Sequence, residues 1–153
     1  MDQQVKVNLG CGDNIGEGFI NVDCRSLPGV DIVCDLEQQW PWEDNSIDAF
    51  YADNVFEHLE PIHAMNEAYR CLKPGGTLEL YVPSTDGPGA FQDPTHKSFW
   101  NANSFLYYVK DGGFKKYVDT VTCSFKLKEI VTIHKEFGFY NKIPFVHTIL
   151  LKE

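Results

Sequence analysis

Apolar and polar positions alternate along the first half of the chain in short runs, each closed by turn-forming residues. Val5-Lys6-Val7-Asn8-Leu9 alternates and stops at Gly10, which predicts a first strand. Phe19–Asp23, Asp31–Asp35 and Ile47–Ala52 repeat the pattern and predict three more. The period then changes: Ile62, Met65, Tyr69 and Leu72 recur at helical spacing, giving a helix from Pro61 to Leu72 with the proline in its first turn. Lys73-Pro74-Gly75-Gly76 is read as a helix stop and tight turn, leading into a fifth strand over Thr77–Val82. A second helix is expected over Asn101–Val109, capped by Asn101 or Asn103. Strands over 122–135 and 144–152 would form an antiparallel hairpin through 138–142.

Strands, a crossover helix and a closing hairpin imply an open α/β sheet, mostly parallel, in one domain spanning 1–153. The first two crossovers are shorter than the dozen or so residues parallel strands usually need. We therefore expect stripped crossovers with reduced helices in the N-terminal half. One sheet face would then be thinly covered, and the 86–120 segment or a second subunit would have to bury it, so a homo-oligomer is possible.

Composition narrows the function classes. At 43% hydrophobic and 23% charged, the chain has the profile of a soluble globular protein. A formal charge of −9 argues against a reader of nucleic-acid backbones, so no nucleic-acid partner is expected. No apolar run is long enough for a membrane span, and Met1-Asp2-Gln3-Gln4 does not resemble a secretory leader. The five cysteines (11, 24, 34, 71 and 123) form no C-x-x-C pair, so we expect reduced thiols, a cytoplasmic location and no metal.

The chemistry concentrates at predicted strand ends. Gly10-Cys11-Gly12 closes the first strand, where missing Cβ atoms let backbone N–H groups approach a ligand. The dinucleotide fingerprint would want a third glycine where Ile15 stands, which argues against a nicotinamide dehydrogenase. Asp23 ends the second strand, where a carboxylate can accept ribose hydroxyls, and Asp35 ends the third, within reach of an adenine amino group. Three neighbouring strand ends thus outline one nucleoside cleft.

At this point the chain resembles the class I S-adenosylmethionine-dependent methyltransferases, with a Rossmann-like sheet. The matching blocks are Asn8-Leu9-Gly10-Cys11-Gly12, Asn21-Val22-Asp23, Cys34-Asp35-Leu36, Asp53-Asn54-Val55-Phe56-Glu57-His58-Leu59 and Leu72-Lys73-Pro74-Gly75-Gly76-Thr77-Leu78. They run in the family's order over roughly residues 5–83, and the last two are more specific than G-x-G. Small bacterial and phage methyltransferase-like proteins are most similar, and in them a segment like Asp93-Pro94-Thr95-His96 followed by aromatics recurs. The resemblance implies S-adenosylmethionine as cofactor. Gly10 and Gly12, with Cys11 between them, would line its methionine part, Asp23 would hold the ribose, and Cys24 would lie against the adenine. Asp35 and the Leu36 backbone would read the adenine edge, and Asp53 and Asn54 would face the sulfonium. Asn8 stands where the family often has a carboxylate, so its contact to the cofactor's amino group would be weak or water-mediated.

For the reaction, the loop after the fifth strand offers His96 and Asp93 as general bases, which favours O-methylation of a small-molecule or glycan-like acceptor; the alternative is that Asp93-Pro94-Thr95-His96 is a turn whose side chains cap neighbouring backbone. His58, at the helix entry, reads better as a structural hydrogen-bonding residue. Trp40, Trp42, Phe99, Trp100, Phe105, Tyr107 and Tyr108 either line an acceptor site or, the favoured reading, complete a core short of helices. The rival function is a non-catalytic S-adenosylmethionine-binding module.

Overall fold

The computed structural model describes residues 3–153, the side chains of residues 140 and 141 excepted. Seven strands form one sheet: β1 (Lys6–Leu9), β2 (Ile20–Asp23), β3 (Ile32–Val33), β4 (Ile47–Asp53), β5 (Leu72–Pro83), β6 (Lys126–Phe137) and β7 (Tyr140–Leu151). Their order is β3-β2-β1-β4-β5-β7-β6. The first five pair in parallel, and β7 runs antiparallel to both β5 and β6. The sheet is therefore mostly parallel with an antiparallel C-terminal hairpin, and the short crossovers do join parallel strands. They are loops and turns, and α1 (Pro61–Cys71) is the one α-helix among the described residues.

Local chemistry explains α1. Pro61 occupies its first turn, where the missing N–H costs nothing, and the Glu60 carboxylate accepts the Ile62 and His63 N–H groups that would otherwise lack partners. Ala64, Met65, Ala68 and Cys71 face inward. The helix ends as expected, but Lys73–Gly76 does not separate it from the next strand. β5 begins at Leu72 and runs through that segment, which bulges out of the β4 register between Ile47↔Leu72 and Ala49↔Thr77. Backbone pairing explains this: Gly75 N–H donates to the Lys152 carbonyl and Lys152 N–H donates to that of Gly76. The second predicted helix is a 3-10 segment, Ala102–Tyr107, started by a capping box between Asn101 and Ser104. β3 is shorter than predicted, and the hairpin turn is tighter, with Gly138 in a left-handed conformation.

The two sheet faces differ. Val7, Leu9, Phe50, Ala52, Leu78, Leu80, Val82, Val146 and Leu150 enter one core together with α1. The 99–125 segment thickens that same side: Trp100 meets Phe56, Tyr69 meets Phe125, and Asn66 of α1 bonds to the backbone of residues 120–123. It does not shield the opposite face, as one of the alternatives above would require. There Tyr51, Glu79, Tyr81 and His147 stay half-exposed, with Tyr81 stacked on His147 at 4.3 Å. The aromatic segment supplies mainly core. Trp40, Trp100, Phe105 and Tyr108 are buried, whereas Phe99 and Tyr107 are exposed.

Candidate functional site

Strand order reverses between β1 and β4, so the segments leaving their carboxyl ends diverge and open a crevice. Gly10 begins the first of these segments with φ +57°, in the left-handed region. A Cβ there would stand 2.5 Å from a methyl of Val55, just past β4, so only glycine lets the two segments lie this close. Asn54 also adopts φ +57°, which asparagine tolerates better than most residues.

A cleft of about 650 Å³ opens here, lined by Gly10, Asp23, Cys24, Asp35, Leu36 and Asn54 together with Arg25, Val55, His58, Thr95 and Lys97. Asp23 is its best-organised polar group. Its carboxylate is buried, accepts Gly12 N–H at 2.9 Å on one oxygen, and accepts both Arg25 N–H and the Arg25 guanidinium on the other. Burial pushes this carboxyl upward, yet the hydrogen bonds from Arg25 and Gly12 outweigh it and hold the group below its ordinary range. Asp35 lines the rim, where one of its oxygens caps Glu37 N–H.

Three residues expected at the cleft are placed elsewhere. Asn8 is buried beneath the loop after β1, with its amide donating to the Asn14 carbonyl and the Asn21 side chain. Cys11 is buried, with its N–H on the Val22 carbonyl. Asp53 forms an ion pair with Lys135 of β6 at 2.9 Å. Gly12 shapes the cleft through its bond to Asp23 rather than by lining it.

A second cavity of about 690 Å³ adjoins the first, and Asn54 and His58 line both. Glu57, Asp93, His96, Lys135 and Phe145 are among its other walls. His96 is held by a bond from its Nδ1 to the Ala90 carbonyl at 2.7 Å. A carbonyl only accepts, so Nδ1 carries the proton and Nε2 of the neutral ring keeps its lone pair. Asp93 Oδ2 lies 3.8 Å from that Nε2. The other Asp93 oxygen accepts the Thr95 N–H and hydroxyl, and these bonds hold the Asp93 carboxyl below its ordinary range. Asp93 is thereby a weak base that braces the loop, and His96 keeps an imidazole lone pair at the cavity wall.

Glu57, quoted in a sequence block but given no role, is 1% exposed and neither carboxylate oxygen has a hydrogen-bond partner. Desolvation raises its pKa to about 8. Its signal in the sequence was its place in the Asp53–Leu59 block, which the fold turns into a 3-10 segment, Phe56–His58, two residues after β4. Arg25, Thr95 and Lys135 were also missed, each being ordinary until the fold brings it to a cavity wall.

A family model described as a methyltransferase domain matches residues 8–80. Over that stretch the chain resembles the class I S-adenosylmethionine-dependent methyltransferases. It is 26% identical over 146 residues to an uncharacterised methyltransferase-like protein of Schizosaccharomyces pombe, covering 90% of this chain and 53% of that protein. It is 39% identical over 63 residues to an uncharacterised transposon protein of Streptomyces fradiae, covering 40% of this chain and 18% of that protein. The chain thus spans about half or less of the curated relatives it matches. A Methanosarcina mazei protein described as an S-adenosylmethionine-dependent methyltransferase shares the fold at TM-score 0.67 and 15% identity, covering 99% of this chain and 94% of that one. A Burkholderia thailandensis 1,6-didemethyltoxoflavin-N1-methyltransferase, solved with its substrate and S-adenosylhomocysteine, does so at TM-score 0.64 and 11% identity, covering 97% and 70%.

S-adenosylmethionine is the family's cofactor, and the methyltransferase-type cleft fits it in two respects. The Gly10 turn leaves bare backbone where a Cβ would collide, and a buried strand-end carboxylate, Asp23, stands beside it. Among the described residues no helix is long and apolar enough to cross a membrane.

Proposed function

We propose that this chain binds S-adenosylmethionine in the cleft beside Gly10 and Asp23 and directs its methyl group to a hydroxyl of a small-molecule or glycan-like acceptor in the adjoining cavity. The observation that carries this reading is the meeting of the two cavities at Asn54 and His58. A donor on one side and an acceptor on the other would face each other across that pair.

The roles follow the geometry. Asp23 takes the ribose hydroxyls, Asp35 and the Leu36 backbone read the adenine edge, and the Gly10 turn leaves room for the methionine part. When bound, the cofactor supplies an activated methyl on a positively charged sulfur, so the protein's main task is alignment. His96 Nε2 would take the proton of the acceptor hydroxyl. Asp93 Oδ2 then faces the imidazolium that results.

Calorimetry with S-adenosylmethionine and S-adenosylhomocysteine is the first test. Saturable one-to-one binding is expected, with Asp23→Ala weakening it ten- to a hundredfold through loss of charge-assisted hydrogen bonds. No heat and no thermal shift with either ligand would overturn the reading. A labelled-methyl screen over hydroxylated metabolites and glycans then separates the enzyme from a non-catalytic cofactor-binding module, which would bind and transfer nothing.

A further inference from the structure

We propose that Glu57, His58 and His96 form a binding site for a divalent ion of the zinc class, opening into the second cavity. One ligand atom from each of the three lies within 4.8 Å of the others, a spread that small side-chain movements close onto one ion. The two rings meet edge to face with centroids 4.8 Å apart. All three residues are among those that line the cavity.

Proton accounting makes the donors suitable. Thr95 has one hydroxyl proton and donates it to Asp93 Oδ1, a carboxylate oxygen 2.6 Å from its Oγ1 that can only accept. The Thr95 oxygen must then accept from His58 Nδ1, 3.0 Å away. His58 Nε2 is left with a free lone pair, 3.9 Å from Glu57 Oε1. His96 reaches the same state through its Nδ1 bond to Ala90. Each imidazole is therefore oriented by a bond at Nδ1 and offers Nε2, the arrangement that supporting bonds impose on metal-ligating histidines.

Glu57 is the independent observation. A carboxyl that is 1% exposed with both oxygens unpartnered is costly, and a cation between it and the two imidazoles would satisfy it. Two nitrogens and one carboxylate oxygen with open positions suit zinc and its spectroscopic substitute cobalt. The cysteine spacing, which suggested no metal, carries no information about these ligands. Two of them are adjacent and the third lies far along the chain.

Metal binding itself does not depend on methyl transfer. Its consequence for catalysis rests on the function proposed above. An acceptor hydroxyl on the ion would lose its proton more readily while His96 Nε2 is occupied as a ligand, so the base role given to His96 above is that of the metal-free protein. The proton would pass to Asp93 or water.

The test is titration of chelator-treated protein with Co²⁺ and Zn²⁺, followed by visible absorption and calorimetry. One equivalent is expected, with d–d bands of a site having nitrogen and oxygen ligands. Glu57→Gln, His58→Ala and His96→Ala should each weaken Co²⁺ binding at least tenfold. Thr95→Val, which removes the bond orienting His58 together with the hydroxyl bond to Asp93 but none of the three ligands, should weaken it by about tenfold and covers the case in which a ligand variant fails to fold. Asp23→Asn should lose S-adenosylhomocysteine affinity and keep the metal, whereas Glu57→Gln should do the reverse, so the two proposals fail separately. No saturable Co²⁺ or Zn²⁺ binding by the wild-type chain overturns the site. Affinity unchanged across the variants overturns it equally.

Discussion

The two cavities that meet at Asn54 and His58 are similar in volume and opposite in construction. The first is made mainly by the carboxyl ends of β1–β4, with backbone and short acids supplying its chemistry. The second is made by a 3-10 turn, the 88–96 loop and the C-terminal hairpin, with imidazoles and a buried carboxyl supplying its chemistry. A parallel sheet aligns successive strand ends, so the first cavity follows from topology. The second depends on which side chains the loops bring inward. If this contrast holds, damage to the first should abolish cofactor binding, and damage to the second should spare binding and change catalysis or stability.

The largest effect is expected from Gly10→Ala. Its Cβ would press on Val55 in a left-handed conformation, so S-adenosylhomocysteine affinity should fall at least a hundredfold and thermal stability should drop. Near-normal calorimetric affinity would break the claim that bare backbone makes the cleft. His96→Ala should lower turnover by about 10²–10³-fold while S-adenosylhomocysteine affinity stays within about threefold, as measured by initial rates and calorimetry. Equal losses in both would erase the distinction between the cavities.

Glu57→Met should stabilise the metal-free protein by about 1–3 kcal/mol, since an apolar side chain replaces a buried carboxyl without partners. Denaturant unfolding after chelation measures this. A destabilised variant would mean that the carboxyl has an internal partner after all. The smallest effect concerns acid. Asp23 is held below its unfolded value, so its contribution is complete above the ordinary carboxylate pKa and fades as pH falls through the folded-state value. Wild type and Asp23→Asn should therefore converge in stability as the solution is acidified, as read from melts at neutral pH and below pH 4.

The sequence made the first cavity legible for the same reason the fold does. Alternating runs locate strand ends, and Gly10, Asp23 and Asp35 sit at three of them. Asp53 shows the limit of that logic. It too ends a strand, but β4 alternates, and its last side chain falls on the side where Lys135 waits. Asn8 failed similarly, because a partner 13 residues later, Asn21, captured its amide. Bulging in β5 was hidden because Pro74 and Gly75 look like a chain reversal until Lys152, just past β7, bonds to Gly75 and Gly76. His96 could be picked as a chemical group, but its proton position depends on the Ala90 carbonyl, which no spacing rule reveals.

Asp23 already holds a cation, and that has its own consequence. Arg25 is two residues away and mostly in solvent, so its guanidinium can swing aside but cannot leave. A ribose reaching this carboxylate would enter by exchange, displacing a tethered competitor whose grip loosens as ionic strength rises. Nucleoside recognition here would then be tuned by a neighbour that never touches the base, and removing the Arg25 side chain would speed entry at the expense of an ordered resting state.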